Sequence, residues 1–196
     1  RASEDVNGDS ALLGLQEAAN AAGLPFLWCD DDVSVGWGAQ GRVWTRAEAV
    51  AVYGGGDEVA SIPRADLGGL GRIPVALITG TNGKTTTSRL LARIARCAGH
   101  HVGGTGTDGL VVDEQVVESG DWTGPGGARA VLRDGRVDLA VLEAARGGML
   151  RRGLGTIGVD AAAVTNVSND HLGEWGIDDV SAMAEVKLLV GRAVRR

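Results

Sequence analysis

"ITGTNGKTTTSRLL", residues 78–91, is the stretch that decides how this chain folds. An apolar run, "IPVALITG" at 73–80, enters a glycine-spaced turn, and a helical pattern follows at once. A strand, a glycine turn and a helix in that order let successive backbone N–H groups converge on an anion, with the positive end of the helix behind them. Gly80, Thr81, Asn82, Gly83, Lys84, Thr85 and Thr86 make up the turn and the first helical residues. Lys84 can reach terminal phosphates and Thr85 can ligate magnesium, so the expected ligand is a nucleoside triphosphate with Mg2+. The longer spacing GxxxxGK[ST] would need glycine at Ile78, so this is the shortened GxxGK[ST] form.

Outward from the loop the same grammar repeats. "VDLAVLE" at 137–143 and "VDAAAVTNV" at 159–167 read as two further buried strands. Helices are expected over 85–99, from Pro125 to about Arg133, and over about 179–194, with "GLVVDEQVVESG" a hairpin turning at Asp113-Glu114. This predicts an α/β, P-loop-containing fold with a mostly parallel sheet flanked by helices, over residues 71–196. Residues 1–70 read as a small N-terminal α+β accessory region whose role the sequence leaves open. It holds a helix capped at Asp9-Ser10 with apolar Leu12, Leu15, Ala18, Ala19 and Ala22. A hairpin of "VSVGWG" and "RVWT" follows, anchored inward by Trp37 and Trp44, and "YGGGDE" at 53–58 is the expected linker.

Composition narrows the partners. A net charge of -6 and a pI near 5.0 leave no basic stripe for a polynucleotide. Cys29 and Cys97 stand far apart with no CxxC, which argues against a disulfide framework or zinc site and for a reducing, cytoplasmic setting. The run "ALLGLQEAANAAGLPFLW" is broken by Glu17 and Asn20, so neither a signal peptide nor a membrane span is expected. Oligomeric state is not legible. The chain opens on Arg1 rather than Met, which suggests residues missing at its front.

Glu143 ends "VDLAVLE" at the carboxyl edge of a parallel sheet, where such folds hold ligands, and a carboxylate there suits magnesium. Arg146, in "ARGG" just behind it, could clamp a carboxylate or phosphate with its two-pronged guanidinium. Arg89, Arg93 and Arg96 share one side of their helix and read as a solvated face. Of 19 Lys plus Arg only Lys84 and Lys187 are lysines. On a helical wheel Lys187 falls in the stripe of Met183, Val186, Val190 and Val194, opposite Glu185, Arg192 and Arg196. A buried lysine can lose its proton, whereas arginine stays charged.

The blocks "GTNGKTTT", "TDGLVVDEQVVESGDWTGPGGARAVL", "VLEAARGGMLRRGLG" and "VTNVSNDHLGEWGI", with "MAEVK" after them, resemble the Mur ligase family over about Ile73 to Val190. The likeness is to its central ATP-binding domain, most of all in the Mur-ligase-like half of cyanophycin synthetases and their stand-alone bacterial relatives. It implies ATP-dependent amide formation: a small-molecule or peptide carboxylate becomes an acyl phosphate, and an amine, typically of an amino acid, displaces phosphate. It also implies that Glu143 binds metal, that His171 helps hold a second magnesium, and that Lys187 is carbamylated. Asp108, Thr123 and Arg129 fall in its substrate-side loops. Set against that family the domain is expected to be incomplete at its C-terminal end. Two other readings stay open: an ATP-binding module without turnover of its own, and a different P-loop phosphotransferase.

Overall fold

A computed structural model describes residues 2–29, 31–53, 67–156, 158–169, 173 and 175–195. The chain separates into two compact units, Arg1–Arg72 and Ile73–Arg196.

The first unit holds α1 (Ala2–Ala21), β1 (Phe26–Cys29), β2 (Asp32–Val35), β3 (Arg42–Thr45) and α2 (Arg46–Tyr53). Its three strands form an antiparallel sheet in the order β1-β2-β3. Leu12, Leu15 and Ala19 of α1 pack with Val33, Val35, Trp44, Ala49 and Leu67 into one core. The helical spacing expected of this segment is therefore present, but the helix starts at Ala2 instead of a cap at Asp9-Ser10, and Ala22 lies exposed beyond its end. Trp37 and Trp44 are buried as expected. Two elements escaped the sequence reading. β1 is only four residues long, and α2 opens with a capping box: Glu48 Oε2 accepts from Thr45 N at 2.8 Å while Thr45 Oγ1 accepts from Glu48 N at 3.2 Å. The expected linker lies, beyond Tyr53, outside the described residues.

The second unit holds β4 (Val75–Thr79), α3 (Lys84–Cys97), β5 (Val102–Gly106), β6 (Gly109–Val112), β7 (Gln115–Ser119), α4 (Pro125–Arg133), β8 (Leu139–Glu143), α5 (Arg146–Arg152), β9 (Ala161–Val164) and α6 (Val180–Arg192). Its six-stranded sheet runs β7-β6-β5-β8-β4-β9. The pairs β5/β8, β8/β4 and β4/β9 are parallel, and the hairpin β6/β7 adds two antiparallel strands at one end. This is the α/β, mostly parallel architecture that the sequence predicts. Asp113 and Glu114 take positive φ of 48° and 71° at the hairpin turn, where the reading placed it. β5, "VGGTG", was not anticipated, because three glycines in five residues give no apolar alternation. Packing explains them: a Cβ at Gly103 would lie 2.6 Å from Val131 and 2.7 Å from Val137. No helix among the described residues is long and apolar enough to cross a membrane.

Candidate active site

Parallel strands bring their carboxyl ends to one edge, and the turns after β4, β8 and β9 meet there. After β4, Gly80 takes φ 152°, and a Cβ there would come within 1.9 Å of Thr165 Oγ1, so only glycine fits. Gly83, at φ 80°, caps the N-terminus of α3. Lys84 Nζ donates to the carbonyl oxygens of Gly80 at 2.9 Å and Thr81 at 3.0 Å, folding the ammonium over its own loop. The segment after β9 clasps the same loop. Thr81 N donates to Asn166 O and Asn82 N to Asn166 Oδ1, each at 3.0 Å. In return Asn166 Nδ2 and Thr165 Oγ1 donate to Asn82 O at 3.1 and 2.6 Å.

At the end of β8, Glu143 is buried at 4% exposure. Its Oε2 accepts from Thr85 Oγ1 at 3.2 Å, and its backbone N donates to Thr105 Oγ1 at 3.0 Å. Burial pushes the Glu143 carboxyl above the usual carboxylate range, against the Thr85 hydrogen bond and the nearby Lys84 charge that draw it down. On α6, Asp179 caps the helix by accepting from Ala182 N at 2.8 Å. Met183, Lys187 and Val190 are its buried stripe, so Lys187 lies inward at 4% exposure.

A cavity of about 330 Å³ collects Gly80, Thr81 and Lys84 from the loop with Asp121, Thr123, Arg146 and Lys187. Thr123 is buried, and its hydroxyl donates to Asp121 Oδ1 at 2.6 Å. Thr85, Glu143 and Asp108 border a neighbouring cavity instead, with Asp108 paired to Arg89 at 2.5 Å. Arg129 lies on α4 and lines neither space, and Thr86 is exposed on α3. His171 lies outside the described residues. Arg89, Arg93 and Arg96, read as a solvated face, rim that second cavity, and Arg96 is half-buried. Thr105, Asp121, Thr165 and Asn166 were missed. The last two reach the loop only through the fold: parallel register pairs Thr79 with Val164 and so carries Thr165 to Gly80.

A phosphate-type loop opening α3, a glutamate ending β8, the strand paired with β4, and an inward lysine on α6 define a class. Residues 78–194 match the Mur ligase middle domain, and the chain belongs to that family. It is 52% identical over 123 residues to cyanophycin synthetase of Geminocystis herdmanii (strain PCC 6308), covering 63% of this chain and 14% of that protein. It is 35% identical over 108 residues to UDP-N-acetylmuramoyl-L-alanyl-D-glutamate--2,6-diaminopimelate ligase of Anaplasma marginale (strain St. Maries), covering 52% and 23%. A solved structure of a ligase with that name superposes with a TM-score of 0.51 at 26% identity, covering 62% of this chain and 25% of the other. The match thus spans about one seventh of the length of the cyanophycin synthetase.

Proposed function

We propose that the Ile73–Arg196 unit binds ATP with Mg2+ at residues 80–86 and serves a ligase that joins a carboxylate to an amine through an acyl phosphate. One observation carries this reading: Lys84, Arg146 and buried Lys187 line a single cavity beside a buried glutamate that holds the Thr85 hydroxyl. The fit to magnesium rests on hard oxygens, since Thr85 Oγ1 and Glu143 Oε2 lie 3.2 Å apart at the start of α3. Bound there, the ion would neutralise charge on the phosphoryl oxygens.

The protein residues then have separable tasks. Lys84 exchanges the Gly80 and Thr81 carbonyls for phosphate oxygens, and the N–H groups opening α3 hold the anion. Arg146 orients the acid, whose carboxylate oxygen bonds to the γ-phosphorus as ADP leaves. The amine nitrogen next bonds to the acyl carbon as inorganic phosphate leaves. Lys187, carbamylated, supplies an anion that arginine cannot. His171 and the substrate-side Asp108, Thr123 and Arg129 complete the proposed set. One relative's name joins diaminopimelate to UDP-N-acetylmuramoyl-L-alanyl-D-glutamate, which supports an amino acid as amine and a peptide-type acid.

The test is product analysis with ATP, Mg2+, a panel of acidic acceptors and amino acids. ADP and phosphate released only when acid and amine are both present support a ligase. A phosphorylated alcohol among the products, or no ATP binding at millimolar concentration, overturns the proposal.

A further inference from the structure

The second cavity, about 410 Å³, lies between α3 and the sheet face formed by β5, β6 and β8. Its floor is apolar: Val102, Gly104, Val111 and Val141. Along its rim α3 presents three arginines, and two of them are already matched. Arg89 pairs with Asp108 at 2.5 Å and Arg96 with Glu114 at 2.8 Å. Arg93 stands between them with no ion pair or hydrogen bond to any described residue. Ser88, 5% exposed, also lines the space, and its Oγ has no hydrogen-bond partner. A buried hydroxyl without a partner is unfavourable, and a ligand that engages it would relieve that cost.

An apolar floor of this size, one unmatched cation and one orphaned hydroxyl specify their complement. We propose that this cavity binds an amphiphilic monocarboxylate, its hydrocarbon body on the valine floor and its carboxylate at Arg93. The inference is separate from the ligase reading, because occupancy can be read without nucleotide. Thr85 and Glu143 also border this cavity, so ligand here and nucleotide at the loop are coupled, each altering the other's affinity by the same factor.

The 196-residue chain is titrated with straight-chain carboxylates from butanoate to decanoate, with alkylammonium ions of equal length as controls, by amide NMR. The expected result is shifts at Ala92, Val102, Gly104 and Val111, with affinity rising up to about fourfold per added methylene. Arg93→Gln should weaken binding about tenfold. Gly104→Val should abolish it in a folded protein, since a Cβ there meets nothing closer than the Val141 carbonyl at 3.5 Å. The proposal is overturned if no carboxylate binds at millimolar concentration, if shifts confine themselves to residues 80–86, if alkylammonium ions bind equally well, or if neither variant weakens binding.

Discussion

The two units of this chain bury different things. Among the described residues, the Arg1–Arg72 unit buries one polar side chain, Ser34, in a core of Leu, Val, Ala and Trp. The Ile73–Arg196 unit buries Thr79, Ser88, Thr105, Thr123 and Thr156 and two ionisable groups, Glu143 and Lys187. Burial of an ionisable group is costly unless it is paired or hydrogen-bonded, so stability alone gives no reason to keep one. The first interior is built to hold a shape. The second carries buried charge and hydroxyl groups at a cost in stability, and among them Thr79 and Glu143 end β4 and β8 at the carboxyl edge of the sheet, where a ligand would meet them.

Substitution in each interior should break that contrast or sharpen it. On the proposed ligase reading, Lys187→Arg keeps the positive charge but cannot be carbamylated, so ligase turnover should fall about a hundredfold to a thousandfold while ATP still binds. Partial rescue of Lys187→Ala by short carboxylic acids would tie the loss to a missing anion; an unchanged rate in the arginine variant breaks the contrast. In the first unit Leu15→Ala removes a fully buried side chain and should cost about 2–5 kcal/mol of that unit's stability, measured by denaturant unfolding. A cost under about 0.5 kcal/mol would mean that its core is not the close-packed apolar interior described.

How much could be read beforehand follows the same division. The phosphate loop was legible because its chemistry forces a local pattern: glycine where a Cβ would strike Thr165, lysine and threonine where α3 begins. Lys187 was legible because one lysine in a stripe of Met183 and Val190 violates helical periodicity. β5 was not, since its glycines answer to Val131 and Val137, residues about thirty positions away that only the fold brings near. Asn166 was hidden in another manner. Its hydrogen bonds to Asn82 exist through the parallel pairing of β4 with β9, and a single asparagine after a strand carries no periodic signal. α2 could have been found, because Thr45 and Glu48 spell a capping box.

The Asn166 clasp allows a finer probe of the second interior. Asn166→Ala removes the side-chain acceptor of Asn82 N and one of the two side-chain donors to Asn82 O, leaving Thr165 Oγ1 in place, and Asn166 itself is exposed, so folding should change little. Nucleotide affinity should fall about tenfold as the loop loosens. Asn166→Asp keeps an acceptor for Asn82 N but loses its own donor to Asn82 O and sets a negative charge beside bound phosphates, so it should bind ATP more weakly still. Equal affinity in the three proteins, by calorimetry, would mean that the loop holds its shape without the clasp.

The smallest effect belongs to an exposed pair, the counterpart of the buried charges. His101 Nδ1 lies 2.6 Å from Asp113 Oδ2, and Asp113 Oδ1 accepts from Val102 N at 2.9 Å, tying the hairpin turn to the start of β5. The hydrogen bond to Asp113 raises the His101 pKa above 6.5, and the same bond lowers the Asp113 pKa below 3.8. A raised histidine stabilises fully below 6.5 and loses that contribution as pH climbs through its folded value, while a depressed aspartate stabilises above 3.8 and loses it as pH falls through its own. The pair therefore acts fully between about 3.8 and 6.5. An NMR titration of the His101 ring should show a midpoint above 6.5 that returns toward 6.5 in Asp113→Asn and is reduced in molar salt. A midpoint at or below 6.5 in the parent chain would dissolve the pair, and with it the charge-assisted link between the hairpin and β5.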